Sequence, residues 1–459
     1  MKHYTLFSIA LLFAFQIFAQ QTINPTPAKD RLDGIARRNK LQEKSYFNNL
    51  NFRNVGPTIM SGRAVDVDVN PDDPTEFYVA YASGGLWHTV NNGQSFDPIF
   101  DKEDVITIGD IAVDWKSRMI WVGTGEVNSS RSSYSGTGIY TSSDSGKSWI
   151  NKGLQETHHI GRICLHPTKA GTAWVAALGH LYSPNKERGV FKTTDAGNTW
   201  KQVLAIDENT GAVDLCIDPS NPDIVYAAMW HRERRAWNLV ESGSTSGIYK
   251  SMDAGENWNL MTKEGSGFPV GEGVGRIGLA VYPKNPQIVY AVLDNQAKRI
   301  EDEKVDTSVL VVKQLKDISK ENFMSLNDSK LENFFRHNGF PEKYTAESVK
   351  DLIRKDSVKP ASVLDYLNDA NNSLFDTPII GSEIYRSEDG GKSWKKTHDS
   401  ILKNLFYTYG YYFGRISVSP FDDKKILVCG LPLIMSTDGG KTLNPLMATI
   451  HMAITMQYG

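Results

Sequence analysis

The chain has 459 residues, enough for one large domain or about two or three ordinary ones. Its net charge is −3, so there is no basic excess of the kind that nucleic-acid-binding proteins carry. The 38 glycines and 10 tryptophans are typical of a turn-rich all-β protein with large apolar anchors.

The N-terminus has the pattern of a signal peptide. Lys2 and His3 precede an apolar run at residues 6–18, and the small residue Ala19 follows it. A run of this length suits a signal sequence better than a membrane span. We predict a signal peptide over residues 1–20, a linker over residues 21–50 and an exported protein with no transmembrane segment.

An eight-residue motif, Ser/Thr-x-Asp-x-Gly-x-Ser/Thr-Trp, recurs along the chain. It occurs at residues 142–149, 193–200 and 387–394, at residues 251–258 with Asn257 in the seventh position, and in weaker form at residues 89–96 and 436–443. The weaker copies have Asn91 in place of the aspartate and Leu443 in place of the tryptophan. The aspartates of the motif, called here the repeat aspartates, are Asp144, Asp195, Asp253, Asp389 and Asp438.

The spacing of the copies predicts the architecture. Asn91, Asp144, Asp195 and Asp253 are 53, 51 and 58 residues apart. Each copy follows two alternating apolar strands joined by a Pro/Asn/Asp turn. A unit of about 50 residues with four short strands has the size of a propeller blade. We predict an all-β propeller over residues 51–459, with six visible blades, the last unfinished, and a C-terminal truncation within a longer parent chain.

The repeat aspartates have a predicted structural role. An aspartate in a tight hairpin can accept hydrogen bonds from the loop amides, as in an Asx turn. A catalytic or metal-binding role is disfavoured, because the same aspartate recurs in successive blades.

Residues 294–378 interrupt the period. Apolar residues there fall at helical spacing, in groups such as Phe323, Leu326, Phe334 and Phe335. Thr345 is a candidate helix cap. The pattern predicts a small helical insertion between the second and third strands of the fifth blade, either as decoration or as a lid over a site.

The three cysteines, Cys164, Cys216 and Cys429, cannot form a complete set of disulfides because their number is odd. Cys164 and Cys216 occupy matching repeat positions, three residues before a proline, and such positions in neighbouring repeats are usually too far apart to bridge. We expect all three to be small buried side chains.

The repeats resemble those of BNR/Asp-box β-propellers, a group that includes sialidases, xyloglucanase-type glycoside hydrolases and Vps10/sortilin ectodomains. Large secreted bacterial proteins of the sortilin N-terminal or glycosyl-hydrolase-like kind are the most similar members. The resemblance covers about residues 51–445 and rests on the repeats and on the segments 52–57, 121–126, 189–193 and 411–415.

The enzymatic residues of these families do not carry over. Xyloglucanase-type enzymes place their catalytic base, an aspartate, just before a Gly-Gly pair. The similar stretch here is Ala82-Ser83-Gly84-Gly85, which contains no carboxylate. The resemblance therefore implies the fold, while function has to be argued from the site.

Two loops that follow second strands carry the candidate site. Propellers bind ligands at the mouth of the central channel, and these loops supply carboxylates, guanidinium groups and aromatic rings. The candidate catalytic carboxylates are Glu126 and Glu233. The candidate ligand-binding residues of the loops are Asn128, Arg131, Tyr134, Trp230, His231, Arg232, Arg234, Arg235 and Trp237. Alternatively, the glutamates pair with nearby arginines and fasten adjacent blades.

Four predicted inner strands begin with Gly-Arg, and their arginines are further ligand-binding candidates: Arg63, Arg162, Arg276 and Arg415. Repetition suggests a shared structural task, such as reaching the loop carbonyls of a neighbouring blade. A cationic ring for an anionic ligand is the alternative.

No cofactor and no metal site is predicted. His158, His159, His180 and His231 lack the His-x-x-x-His spacing of a local metal site. We predict a secreted or cell-envelope propeller that binds a protein, a peptide or a carbohydrate. A polysaccharide-active glycoside hydrolase, or its inactive remnant, is the alternative, and a structural envelope component is a third.

Overall fold

A computed structural model describes residues 24–50, 62–235, 237–299, 310, 312–315, 318–338, 340–367, 379–402 and 405–446. The predicted signal peptide and the segment 52–57 lie outside these residues. Six four-stranded antiparallel sheets are arranged as the blades of a propeller, which confirms the predicted fold class.

The strands of each blade follow one another in the sequence from the innermost to the outermost. The first three blades consist of β1 (Ala64–Val69), β2 (Phe77–Tyr81), β3 (Gly85–Thr89) and β4 (Asp97–Pro98); β5 (Ile108–Asp114), β6 (Met119–Thr124), β7 (Ile139–Ser142) and β8 (Ile150–Asn151); and β9 (Ile160–Leu165), β10 (Ala173–Ala177), β11 (Gly189–Thr193) and β12 (Lys201–Leu204).

The fourth blade carries a small ribbon between its second and third strands. The last three blades and this ribbon, β15–β16, consist of β13 (Thr210–Ile217), β14 (Val225–His231), β15 (Glu233–Arg234), β16 (Leu239–Val240), β17 (Gly247–Ser251) and β18 (Asn259–Leu260); β19 (Val274–Val281), β20 (Val289–Lys298), β21 (Ile379–Ser387) and β22 (Lys395–Lys396); and β23 (Arg415–Val418), β24 (Ile426–Cys429), β25 (Leu433–Ser436) and β26 (Asn444–Pro445).

Apolar cores join each blade to the next. Ile111 and Val122 pack with Tyr78 between the first two blades, and a comparable cluster around Tyr290 and Ile416 joins the fifth blade to the sixth. Within the described residues no comparable apolar cluster joins the sixth blade to the first. On the side of β1 that does not face the second blade, Val67 is 50% exposed and Val69 is 45% exposed.

The helical insertion lies between β20 and β21, as predicted, and has a core of its own that includes Phe323 and Phe335. Phe323 and Phe334 lie on two successive helices, because Asn327 caps a new helix between them. Thr345 caps the next helix through a capping box, as its sequence suggested. The helices of the insertion are α2 (Val312–Leu315), α3 (Lys320–Met324), α4 (Asp328–His337), α5 (Ala346–Arg354) and α6 (Ser362–Leu367).

The region predicted to be a linker contains a helix, α1 (Ala28–Glu43). Its first turn is tied to the propeller: Arg31 donates to the carbonyl oxygens of Gly136 (2.7 Å) and Gln155 (2.8 Å). The helix has little apolar periodicity, which is why the sequence did not mark it. No helix among the described residues is long and apolar enough to cross a membrane.

Candidate functional site

Six charged residues line the central channel, one from the innermost strand of each blade. In the first, second and fourth blades a register shift, typical of a β-bulge, immediately precedes the aspartate. The bulge re-aims the following side chain. The channel residues, in blade order, are Asp66, Asp110, Arg162, Asp214, Arg276 and Arg415.

The three channel aspartates connect consecutive blades. Asp110 Oδ2 accepts from the backbone N–H of Ile163 (2.7 Å), and Asp214 Oδ2 accepts from that of Leu279 (2.9 Å). Asp66 makes the corresponding contact with the second blade at 3.3 Å. The free edge of an innermost strand would otherwise leave its amides unpaired inside the channel. These aspartates therefore have a structural task that the sequence analysis did not identify.

Arg162 and Arg415 neutralise the aspartates. Arg162 lies 2.9 Å from Asp214 and 3.2 Å from Asp110. Arg415 lies 2.9 Å from Asp110 and 3.7 Å from Asp214. Burial lowers the pKa of Arg162, but the aspartates outweigh burial and hold that pKa well above its usual range. Both guanidinium groups are thus paired with carboxylates of the protein. This pairing argues against the hypothesis that the Gly-Arg arginines form a cationic ring for an anionic ligand.

Arg276 and Arg63 differ from the other two Gly-Arg arginines. Arg276 donates to the carbonyl oxygens of Tyr411 (2.9 Å) and Tyr412 (3.3 Å), the contact with a neighbouring loop that was predicted for the group. Arg63 lies just before β1, where the channel position is taken by Asp66. Its guanidinium group instead pairs with Glu126 and lies 4.8 Å from the centre of the Tyr412 ring.

Glu126 is enclosed by its neighbours. Its side chain is 2% exposed and is ion-paired with Arg63, and Glu126 Oε1 accepts from the backbone N–H of Tyr134 (3.2 Å). Oriented to satisfy its surroundings, the Asn128 amide donates to Glu126 Oε2 (3.2 Å) and accepts from Arg63 (3.1 Å). Burial raises the pKa of Glu126. This geometry fits the alternative given above, in which Glu126 pairs with an arginine and connects adjacent blades.

The two predicted loops, residues 125–138 and 232–246, meet at one end of the propeller. Arg232 is fully buried and bonds to Ser129 Oγ and to the carbonyl oxygen of Gly179 (3.0 Å), which ties the loops together. Trp230 is also fully buried and donates to the carbonyl oxygen of Glu241 (2.7 Å). Arg234 is buried too, 5.8 Å from the centre of the Tyr411 ring. All three side chains are buried and therefore not accessible to a ligand, although the sequence analysis named them as ligand-binding candidates.

Other members of the two loops do reach solvent. Trp237 is 80% exposed and Tyr134 is 62% exposed. Arg131 and Arg235 are exposed as well, and the Arg131 carbonyl oxygen accepts from the half-exposed Tyr182 (2.6 Å). We call this set of side chains the aromatic–cationic face; it consists of Arg131, Tyr134, Tyr182, Arg235 and Trp237.

Glu233 and His231 lie beside that face. Their Oε1 and Nε2 atoms are 3.4 Å apart, and Arg235 approaches Glu233 Oε2 to 3.9 Å. His231 is also held from the other side, since its backbone N–H donates to Ser246 Oγ (2.9 Å). Glu233 is therefore partly paired and partly open to solvent.

A small cleft of about 50 Å³, open to solvent, lies at the channel where the sixth blade approaches the first. Residues of several blades line it, among them Arg63, Asn128, Arg276, Tyr412 and Arg415. The cleft is far smaller than the pockets that small ligands commonly occupy. Since the polar groups in its wall are bonded to one another, the cleft offers mainly ring faces and backbone.

A pair of buried carboxyl groups was missed by the sequence analysis. Glu241 lies in the second loop and Asp294 lies on β20, and both are close to buried arginines. Burial raises the pKa of Asp294 to about 6 and that of Glu241 well above its usual range. One oxygen of each, Asp294 Oδ1 and Glu241 Oε2, has no hydrogen-bond partner among the described residues. The two residues are 53 positions apart in the sequence, so no local motif indicated that they interact.

The repeat aspartates lie in peripheral hairpins, away from the channel. Asp195 Oδ1 accepts from the backbone N–H of Thr199 (2.8 Å) and its Oδ2 from the Thr199 hydroxyl (2.7 Å). These bonds hold the pKa of Asp195 at about 2. The other four make equivalent bonds. The tryptophans of two copies also bond to the preceding blade: Trp149 donates to the Ile99 carbonyl oxygen and Trp200 to that of Lys152.

The three cysteines are free thiols, but each is partly rather than fully buried, in contrast to the prediction. Cys164 and Cys216 direct their sulfur atoms at carbonyl oxygens of the following blade, 3.6 Å and 3.1 Å away. Burial raises the pKa of Cys164 to about 12, so its thiol is unreactive at neutral pH.

Three side chains of metal-ligand type converge near α1: Glu156, His158 and His180. Burial lowers the pKa of His158 to about 3 and also lowers that of His180, so both imidazoles are neutral at pH 7. His159 lies apart from them and contacts the Glu126 carbonyl oxygen (2.8 Å). The expectation that the histidines form no metal cluster considered spacing within single segments, whereas this group combines two loops.

Comparisons with known proteins agree with a propeller. Residues 137–340 match the family model Sortilin-Vps10, described as sortilin, neurotensin receptor 3. A xyloglucanase of Hypocrea jecorina (strain QM6a) is 28% identical over 193 residues, which are 39% of this chain and 19% of the relative. The chain thus spans about a fifth of the length of the curated relative that it matches.

Solved structures that match this chain have low sequence identity and TM-scores below 0.5. The GH74 enzyme of Niastella koreensis has a TM-score of 0.47 at 15% identity, with 83% of this chain and 46% of that chain covered. YCF48 from Cyanidioschyzon merolae has a TM-score of 0.44 at 12% identity, with 86% and 88% covered.

Proposed function

We propose that this β-propeller is an exported binding module whose ligand docks on the aromatic–cationic face. The ligand class is a carbohydrate, a peptide or a protein. The observation that carries the proposal is the difference in exposure between the buried and the exposed side chains at the channel mouth. Glu126 and Arg232 are buried and bonded to other protein groups, while Trp237, Tyr134 and Arg235 are exposed to solvent.

The chemistry of this face suits extended ligands. Tryptophan and tyrosine rings stack on sugar rings and on peptide side chains, and they lose little conformational entropy on binding. The neighbouring guanidinium groups of Arg131 and Arg235 add hydrogen-bond donors for hydroxyl or carboxylate groups. Similarity to a xyloglucanase makes carbohydrate the first class to test.

Export is part of the proposal. The charged-then-apolar pattern of residues 1–20 supports it, as does similarity to sortilin and to a xyloglucanase.

Glycoside hydrolysis is the second candidate function. The observation that favours it is the Glu241–Asp294 pair, whose raised pKa values are those of a carboxyl group ready to act as an acid. Glycosidases use two carboxyl groups that reach the substrate. Asp294 is fully buried, and Glu126 is committed to Arg63, so binding is the better supported of the two functions.

A panel of neutral and anionic polysaccharides tests both candidates at once. Retention of the protein on an insoluble glycan, or its retardation in a gel containing a soluble one, measures binding; release of reducing sugar measures hydrolysis. We expect retention by at least one glycan, or by a peptide array if carbohydrate fails, without reducing-sugar release. Release that disappears in Asp294→Asn, Glu233→Gln or Glu126→Gln would establish the second candidate instead.

A further inference from the structure

Glu156, His158 and His180 lie close together, with the two imidazole rings 3.8 Å apart between their centres. Glu156 lies in a short 3-10 turn, Gln155–Thr157, and His158 follows that turn directly. His180 comes from the loop after β10. Glu156 Oε2 is 3.7 Å from His158 Nε2 and 3.8 Å from His180 Nε2, and one ligand atom from each of the three residues lies within 4.8 Å of the others.

Both imidazoles carry a buried nitrogen with no hydrogen bond. His158 is 9% exposed and His180 is 7% exposed, and neither Nε2 atom has a hydrogen-bond partner in the part of the chain that the structure describes. A buried polar atom without a partner costs free energy, so such atoms generally meet a water molecule or an ion. Two of them aimed at the same carboxylate form a ready set of ligands.

The surroundings hold these ligands in place. Ser183 Oγ lies 2.9 Å from His180 Nδ1, the kind of second contact that orients an imidazole and directs its other nitrogen at a metal. His158 itself has a φ of 55°, a conformation that costs a non-glycine residue energy and that structures maintain mainly at functional positions.

We propose that Glu156, His158 and His180 bind one divalent transition-metal ion, for which zinc is the best match. Two imidazole nitrogens and one carboxylate oxygen are a common zinc ligand set. With zinc–ligand bonds of about 2.0–2.1 Å, tetrahedral geometry separates ligand atoms by roughly 3.3 Å. The separations of Glu156 from the two imidazole nitrogens, 3.7 and 3.8 Å, are a few tenths of an ångström longer, and the histidine ligand atoms lie within 4.8 Å of each other.

The fourth ligand position faces solvent. The Glu156 side chain is 37% exposed, so a water molecule, or a donor atom of a bound ligand, can reach the metal from that side. Three arginines, Arg31, Arg188 and Arg232, act electrostatically on His158 and weaken the attraction for a dication. Arg31 also lies 3.8 Å from Glu156 Oε2, so we expect weaker metal binding than at a site without nearby cations.

The metal would connect the propeller to α1. Glu156 Oε1 accepts from the backbone N–H of Ala28 (2.6 Å), and Arg31 grips the Gln155 carbonyl oxygen. A metal that fixes the turn between Gln155 and His158 should therefore strengthen the anchoring of the helix. Its function is structural in the first instance, with an open position for exchange.

The test uses protein without a histidine tag, treated with a chelator and then dialysed. Calorimetric titration with zinc at pH 7 should give about one site per chain, and binding should raise the melting temperature because the metal binds the folded state. His158→Gln and His180→Gln should each weaken binding at least tenfold. The matched control, His88→Gln, removes an imidazole that pairs with Glu76 at another place and should bind zinc as the wild type does.

A second measurement covers the case in which these variants fold poorly. Cobalt added to the wild-type protein should give the visible absorption of a tetrahedral ion, and X-ray absorption of the zinc form should show nitrogen scatterers from imidazole. Absence of zinc binding by the wild type, or unchanged binding in both histidine variants, would overturn the proposal.

Discussion

Arg415 on the sixth blade donates a hydrogen bond to Asp110 on the second blade, with 2.9 Å between Nη2 and Oδ1. The two residues are 305 positions apart and meet across the central channel. The Asp110 carboxylate is also ion-paired with Arg162 and accepts a hydrogen bond from the backbone N–H of Ile163. One carboxylate therefore connects the second, third and sixth blades. The charged groups of the channel therefore stabilise the fold, and the loops at the channel mouth are the better candidates for ligand binding.

Asp110→Asn should destabilise the protein strongly. The change removes one of the two carboxyl groups that Arg162 and Arg415 share and leaves only Asp214 between them; breaking a buried ion pair in this way costs about 3–5 kcal/mol. Urea unfolding followed by circular dichroism measures the free energy of unfolding. Asp33→Asn, which removes the exposed ion pair of Lys29 and Asp33, is the control and should leave the midpoint unchanged. Equal midpoints for wild type and Asp110→Asn would refute the role given to this residue.

Glu126 and Arg63 should be energetically coupled. Glu126→Gln leaves the partly buried Arg63 unpaired and Arg63→Met leaves the buried Glu126 unpaired, whereas the double variant removes both charges together. We expect the double variant to lose less stability than the two single variants combined, with a coupling energy of about 1–3 kcal/mol. Additive effects in the four-protein urea cycle would mean that Glu126 is held for another purpose, such as chemistry.

The repeat aspartates should make stability depend on acid pH. Hydrogen bonds to the charged form hold the pKa of Asp195 at about 2, below its ordinary value of 3.8. A carboxyl group with a depressed folded-state pKa stabilises the protein above the unfolded pKa, and this contribution is lost as the pH falls through the folded one. The window is therefore roughly pH 4 to pH 2.

The first blade provides a natural control for that effect. Asn91 makes the same backbone contact as the aspartates, accepting from the Ser95 N–H at 3.0 Å, without a charge. Asp195→Asn should thus keep the fold at pH 7 and reduce the drop in melting temperature between pH 4 and pH 2. A drop as steep as that of the wild type would show that other carboxyl groups control acid unfolding.

Two tryptophans seven positions apart should behave in opposite ways. Trp230→Ala empties a fully buried position and should lower the free energy of unfolding by about 3–5 kcal/mol. Trp237→Ala truncates an exposed ring and should change it by no more than about 0.5 kcal/mol. Thermal and urea unfolding of both variants checks this, and a large destabilisation by Trp237→Ala would contradict the exposure of that ring.

The fold was predictable because its signals are local. The repeat motif, the alternating strands and the Thr345 cap each depend on residues close in sequence, and each recurs or has a definite pattern. The helix α1 escaped prediction because it has little apolar face, and its attachment depends on Arg31 reaching a distant turn.

The site was only partly predictable because its residues converge from different blades. The Gly-Arg pattern grouped Arg63 with Arg162, but a bulge in β1 gives the channel position to Asp66. Burial separates Trp230 from Trp237, although both lie in one aromatic segment. His158 and His180 meet only because two inter-strand loops pack together, which spacing along a single segment does not reveal.

The most direct test of the proposed function is the affinity of Trp237→Ala for a ligand retained by the wild-type protein, measured by calorimetry with the melting temperature as a folding check. The account predicts at least a tenfold loss of affinity at an unchanged melting temperature. Wild-type affinity in Trp237→Ala and in a matching Tyr134→Ala variant would contradict it and place the binding site elsewhere on the propeller.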